Sequence, residues 1–219
     1  MKKVLLLLLV FISMHSFSQD GSILKFIKGS DTKPLIIYLT GDGGMNKFSV
    51  GLTNGINSNG YSLLVLDSKS YFWKKKTPQQ LANDVNSAVE AALRDHSFPG
   101  LIFMGYSFGA DVTPFLVNRL TAALQAKTQQ VVLLSPSAYS NFEIKLTDMF
   151  GWNSSKGADV VAEINSYSKP MVLFFGKEEN EFPQDKLNKK NKKVILLEGG
   201  HRYANDASKL TKQVLLAVQ

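Results

Sequence analysis

Six short apolar runs recur along the chain: LIIYLT (35–40), YSLLVLD (61–67), LIFMGY (101–106), VVLLS (131–135), MVLFF (171–175) and VILLE (194–198). A strand with one face in water alternates apolar and polar residues. These runs are continuously apolar and rich in β-branched residues, as strands buried on both faces are. Helical patterns fall between them. In TPQQLANDVNSAVEAALRDH (77–96), Leu81, Val85, Val89 and Leu93 recur at spacing four. Thr77 stands as the N-cap and Pro78 at the first helical position. A second helix is expected after Ser107, through Leu116, Leu120 and Leu124, with Pro114 early enough to kink it. Others are expected at 158–167 and roughly 204–218. Strand–helix alternation of this kind predicts an α/β fold: a compact, mostly parallel sheet with helices on both faces. The longest strand-to-strand segment, 136–170, holds Phe150-Gly151-Trp152.

The first residues, MKKVLLLLLVFISMHSFSQD, have a different character. Lys2 and Lys3 precede about nine uninterrupted apolar residues, the length of a signal h-region and too short to span a bilayer. Ser16-Phe17-Ser18 supplies small residues at −3 and −1. The expectation is a signal peptide at 1–18, cleaved near Ser18, and a single domain at 19–219 that is periplasmic or secreted. The chain has no cysteine. That excludes a lipoprotein anchor, thiol nucleophiles and thiolate zinc sites, and leaves core packing to hold an exported domain. Removing Lys2 and Lys3 from 25 basic residues leaves 23 against 18 acidic ones. The surplus clusters at Lys74-Lys75-Lys76 and in KLNKKNKK (186–193). Such clusters suit a solvated face or peripheral contact with an anionic membrane surface. No aromatic-interleaved basic groove accompanies them, so nucleic acid is not an expected partner.

In a parallel sheet, chemistry collects beyond the carboxyl ends of the strands. There the runs deliver Gly41-Asp42-Gly43-Gly44, Ser107, the acidic loop GKEENEF (176–182) and Gly199-Gly200-His201. Gly105-Tyr106-Ser107-Phe108-Gly109 matches G-x-S-x-G and lies between a strand and a helix, the context of a nucleophile elbow. A serine hydroxyl needs a base within hydrogen-bond reach. His15 lies in the leader. His96 precedes the strand that Ser107 follows, so about six strand residues, on the order of 20 Å, separate them. His201 is therefore the candidate base. For the acid that orients it, Glu179 stands three residues after the glycine ending its strand, with Glu181 and Glu178 as alternatives. Backbone N–H groups of Phe108 and of Asp42 or Gly43 are candidates for an oxyanion hole. No Gly-Lys-Ser/Thr ends the 41–44 loop and no third glycine completes a dinucleotide fingerprint. Two histidines and no His-x-x-x-His pair leave few metal ligands, and neither a metal nor a cofactor is expected.

GYSFGADVTPF (105–115), together with TGDGG (40–44), YFW (71–73), TPQQLANDV (77–85), LSPS (134–137), FEI (142–144) and EGGHRY (198–203), resembles the AcvB/VirJ bacterial virulence protein family. The resemblance spans most of 35–203. It implies a periplasmic α/β-hydrolase that hydrolyses aminoacylated phosphatidylglycerol, notably lysyl-phosphatidylglycerol, with a link to virulence-related secretion. The family serine falls on Ser107, its histidine on His201 and its acidic stretch on 178–181, with an Asp usual where Glu181 stands. The family often has Trp where Met45 stands and a second His where Arg202 stands. A lysyl head group wants carboxylates, for which Asp42 and Asp111 are candidates, with Tyr106 and Met45 completing the substrate-facing set. Tyr71-Phe72-Trp73 beside Lys74-Lys75-Lys76 suits a bilayer interface. The expected function is a serine ester hydrolase with a Ser-His-Glu triad. The alternatives are a generic carboxylesterase or thioesterase and a noncatalytic, secretion-associated interaction protein.

Overall fold

A computed structural model describes residues 23–144 and 157–218. The expected leader at 1–18 and Phe150-Gly151-Trp152 lie outside the described residues. Five of the six apolar runs form the interior strands of a seven-stranded sheet; the sixth, VILLE, is an edge strand and not buried on both faces, with Leu196 50 % exposed. The sheet's strands are β1 (Leu24–Ile27), β2 (Leu35–Leu39), β3 (Leu63–Leu66), β4 (Leu101–Tyr106), β5 (Thr128–Leu134), β8 (Met171–Gly176) and β9 (Lys192–Leu197), in the order β1-β3-β2-β4-β5-β8-β9. A separate small pair joins β6 (Tyr139–Ser140) to β7 (Ala158–Asp159) within the 136–170 segment. Among the described residues only β1, which pairs Leu24 with Leu66 and Ile27 with Leu63, runs antiparallel in the large sheet.

Because side chains alternate across a strand, each apolar run feeds two cores at once. Leu35, Ile37, Leu39, Phe103, Leu133 and Phe175 face one side. They meet α3 (Pro78–Asp95), α4 (Phe108–Val117) and α6 (Val160–Ser166). Ile36, Tyr38, Met104, Val132 and Phe174 face the other side, under α1 (Lys47–Ser58) and α7 (Ala207–Ala217). α3 starts as its sequence predicts: Thr77 Oγ1 accepts from the Gln80 N–H, and Gln80 Oε1 accepts from the Thr77 N–H. The reciprocal cap satisfies two of the N–H groups a helix start leaves open.

Several elements depart from expectation. The helix after Ser107 is two helices: α4 ends at Val117, and α5 (Ala122–Lys127) starts afresh with Thr121 as its cap. Leu116, Leu120 and Leu124 are nevertheless all buried, so the spacing reported the core and not the continuity of the helix. The C-terminal helix begins at Ala207, after a short 3₁₀ turn at 203–205. α1 and the short α2 (Ser68–Tyr71) carry no apolar stripe strong enough to announce them. In α1, a Cβ on Gly55 would lie 2.6 Å from Thr211 Oγ1, so the helix can seat against α7 only where its side chains are missing.

Candidate active site

β4 ends at Tyr106, and the chain turns into α4 through Ser107 at φ 52°, ψ −123°. This backbone conformation costs a serine of order 1–3 kcal/mol and persists only when its surroundings hold it. Here they do. The Ser107 N–H donates to the Leu134 carbonyl at 2.8 Å, and the Ser107 carbonyl accepts from Ala110 and Asp111. The flanking residues must be glycine: a Cβ on Gly105 would lie 2.3 Å from the Gly109 carbonyl oxygen, and one on Gly109 would lie 2.2 Å from that of Leu39. The hydroxyl does not cap the helix that follows. It points to His201, whose Nε2 lies 2.8 Å from Ser107 Oγ.

His201 Nδ1 lies 2.8 Å from Glu179 Oε1. With the proton on Nδ1, the ring donates to Glu179 and leaves Nε2 to accept from the serine. The other carboxylate oxygen of Glu179 accepts from the Gly176 N–H at 2.6 Å and from the Ser135 hydroxyl at 2.7 Å. Burial would raise the Glu179 pKa, but these donors and His201 outweigh it and hold it below the ordinary glutamate value. In return the Glu179 hydrogen bond raises the His201 pKa above 6.5, against the opposing effect of burial. Glu178 and Glu181 line the same cavity but are exposed and do not bond His201.

Two residues beyond the expected set, Ser135 and Tyr203, shape the site. Ser135, at φ 50° and 1 % exposed, places its Oγ 2.7 Å from the Tyr203 hydroxyl, which donates to the Phe174 carbonyl at 3.0 Å. Their signal in the sequence is faint: Ser135 ends an apolar run and Tyr203 lies two residues beyond the histidine.

A cavity of about 820 Å³ opens over Ser107. Its lining carries Asp42, Asp111, Glu143, Glu178, Glu179 and Glu181, and no lysine or arginine among the described residues. This concentration of acid stands on a chain of net charge +7. Phe108 and Asp42 also line it, and neither backbone N–H is bonded to a protein acceptor among the described residues. Phe108 opens α4, where the helix dipole favours developing negative charge. Gly43 is not on the cavity wall and faces the Asn46 side chain.

Two expected substrate contacts are corrected. Tyr106 is 5 % exposed and packs beneath the histidine loop, its hydroxyl donating to the His201 carbonyl at 3.2 Å. Met45 packs against the core on the α1 side of the sheet and does not line the cavity. Asp111 does line it, although it is 5 % exposed. Its Oδ1 accepts from the Ser137 N–H at 2.5 Å. Burial pushes its pKa up to about 7, with Ser137 and the charge of His201 pulling the other way. The aromatic trio divides: Tyr71 and Phe72 are core, and Trp73 is 54 % exposed. His96 pairs with Asp31 at 3.1 Å, before the start of β4, apart from Ser107 as expected. Among the described residues, no group of three His, Asp or Glu side chains is arranged to hold a metal ion.

The family model described as bacterial virulence protein (VirJ) matches residues 33–219. No curated protein matches the chain. Similar solved structures include Est1E from Butyrivibrio proteoclasticus with bound ferulic acid. It is 15 % identical, with 89 % of this chain and 94 % of that chain covered and a TM-score of 0.62. MenH from S. aureus is 12 % identical, with 88 % and 96 % covered and a TM-score of 0.66. The esterase domain of a Rhodothermus marinus protein is 11 % identical, with 87 % and 89 % covered and a TM-score of 0.59. Likeness at this level of identity speaks to architecture, and the architecture is the α/β-hydrolase fold.

Proposed function

The chain belongs to the bacterial virulence protein (VirJ) family, and from that footing we propose that it is a serine hydrolase that opens esters with a cationic acyl group, aminoacyl and notably lysyl phosphatidylglycerol. The observation that carries the reading is the continuous relay from Ser107 through His201 to Glu179, with both hydrogen bonds at 2.8 Å. In the reaction, Ser107 Oγ attacks the ester carbonyl while His201 Nε2 takes its proton. The N–H groups of Phe108 and Asp42 hold the oxyanion. His201 then returns the proton to the departing alcohol, here the glycerol hydroxyl of the lipid. Water, deprotonated by the same imidazole, attacks the acyl-enzyme and releases the free amino acid. The acidic cavity supports a cationic acyl group over a neutral or anionic one. The family likeness supports the lipid as its carrier.

The leader sequence supports export to the periplasm, where the outer face of a membrane would present this substrate. Trp73, Lys74 and Lys75 are exposed. Their segment is tied to the cavity rim through Lys76 N–H to the Phe142 carbonyl and Ile144 N–H to the Phe72 carbonyl. We assign them the bilayer contact: the aromatic ring in the head-group zone and the lysines on lipid phosphate.

The test is fluorophosphonate labelling followed by assay of lysine release from vesicles containing lysyl-phosphatidylglycerol. Labelling that persists in S107A, or is absent from the unmodified protein, overturns the hydrolase reading. Hydrolysis of p-nitrophenyl butyrate without lysine release leaves a generic esterase. Replacing Trp73, Lys74 and Lys75 together should raise KM on vesicles but not on a soluble ester. Equal KM on vesicles retires the membrane contact.

A further inference from the structure

We infer that Asp111 is the anchor for the α-ammonium group of the acyl chain opened by Ser107. The inference rests on the aminoacyl-ester reading above and names the residue that selects for it. Asp111 differs from the other acids of the cavity. Asp42, Glu178 and Glu181 are exposed, whereas Asp111 is 5 % exposed and still reaches the cavity wall. Its partner is Ser137, through the N–H at 2.5 Å. No lysine or arginine pairs with it among the described residues. A carboxylate taken out of water without a cation is costly, and a bound ammonium would remove that cost by supplying the missing charge.

Position identifies which ammonium. The Asp111 N–H donates to the Ser107 carbonyl at 3.0 Å, so the carboxylate stands one helical turn beyond the nucleophile on the same helix. In an α-aminoacyl ester, the nitrogen is attached to the carbon next to the carbonyl under attack. A group near the nucleophile reads that nitrogen, while the exposed rim acids are left to the far end of a lysyl chain. Of the two half-buried acids, Glu179 has both oxygens engaged by His201, Gly176 and Ser135, and Glu143 stands on the 136–170 segment, off the nucleophile helix.

The experiment uses the full chain carrying S107A, so that esters bind without turnover, and calorimetry with two soluble esters. L-Norleucine methyl ester has an ammonium at the α-carbon; 6-aminohexanoate methyl ester has it at the far end. Adding D111N, which keeps an acceptor for the Ser137 N–H, should weaken norleucine ester binding by about tenfold or more, the loss expected for a hydrogen bond between charged groups. Binding of the 6-aminohexanoate ester should change far less. Norleucine ester affinity unchanged by D111N, or lost instead through D42N, overturns the inference. Carboxyl ¹³C NMR of the S107A protein gives a reading with Asp111 intact. The norleucine ester should shift a buried aspartate resonance that the 6-aminohexanoate ester leaves in place, and no such shift counts against the anchor. Turnover of either ester by the unmodified protein tests the hydrolase reading separately. A protein that binds through Asp111 and hydrolyses neither ester sinks that reading and not this one.

Discussion

Two histidines in this fold rest Nδ1 on a carboxylate: His201 on Glu179 at 2.8 Å and His96 on Asp31 at 3.1 Å. A His–carboxylate pair is therefore not in itself a base for catalysis. The difference lies in what surrounds each pair. His201 has a serine hydroxyl at its other nitrogen, and its carboxylate is fully engaged by Gly176 and Ser135. His96 stacks on Phe26, with centroids 4.9 Å apart at 28°, and the second oxygen of Asp31 is buried without a hydrogen-bond partner. The first pair is oriented toward a reacting group. The second staples the 31 region to the end of α3.

Substitutions should separate the two pairs sharply. H201A should lower kcat/KM on a soluble ester by about 10⁴-fold or more, as loss of a triad base does elsewhere. E179Q should lower kcat by about 10²- to 10⁴-fold, because the amide no longer fixes the tautomer or stabilises the imidazolium. It should also move the pH profile. Only the neutral ring can take the Ser107 proton, and Glu179 raises the His201 pKa above 6.5. The acid limb of kcat/KM should therefore inflect above 6.5 in the unmodified protein and at lower pH in E179Q. S135A leaves Glu179 with one donor fewer; kcat should fall about tenfold with KM held, since the loss of a hydrogen bond to a charge is worth roughly 1.5–3 kcal/mol. H96A should keep kcat/KM within about twofold while thermal denaturation shows about 1 kcal/mol of lost stability, mostly ring packing. A large activity loss in H96A would erase the contrast between the pairs.

The same contrast marks what could be read from sequence. Which histidine could serve Ser107 followed from chain order alone, because a parallel strand puts its two ends at opposite edges of the sheet. Which glutamate serves His201 did not, because Glu178, Glu179 and Glu181 differ only in how the loop turns after β8. The choice of Glu179 needs the Gly176 N–H and the Ser135 hydroxyl, and the latter comes from another strand at a positive φ. The central strands were legible because burial on both faces leaves no polar residue to interrupt them. β1 was hidden by Lys25 and its length of four residues. α1 was hidden by Gly51 and Gly55, poor helix formers whose purpose is visible only once α7 lies against them. Tyr106 stands next to the nucleophile in sequence, yet its ring packs with Phe48 in the core on the α1 side and its hydroxyl meets the histidine loop.

The contact between α1 and α7 reaches further than packing. α1 opens directly after the loop that carries Asp42, and α7 opens directly after the turn that follows His201. The two helices run side by side, Gly51 against Ala207 and Gly55 against Thr211. In the proposed hydrolase reading they are the two arms of a caliper, with the Asp42 loop and the His201 loop as its jaws. A methyl group added at Gly55 would meet Thr211 Oγ1 at 2.6 Å and is expected to spread the arms, so a lowered kcat/KM in G55A with the fold intact would show that a glycine no substrate touches sets the gap at Ser107.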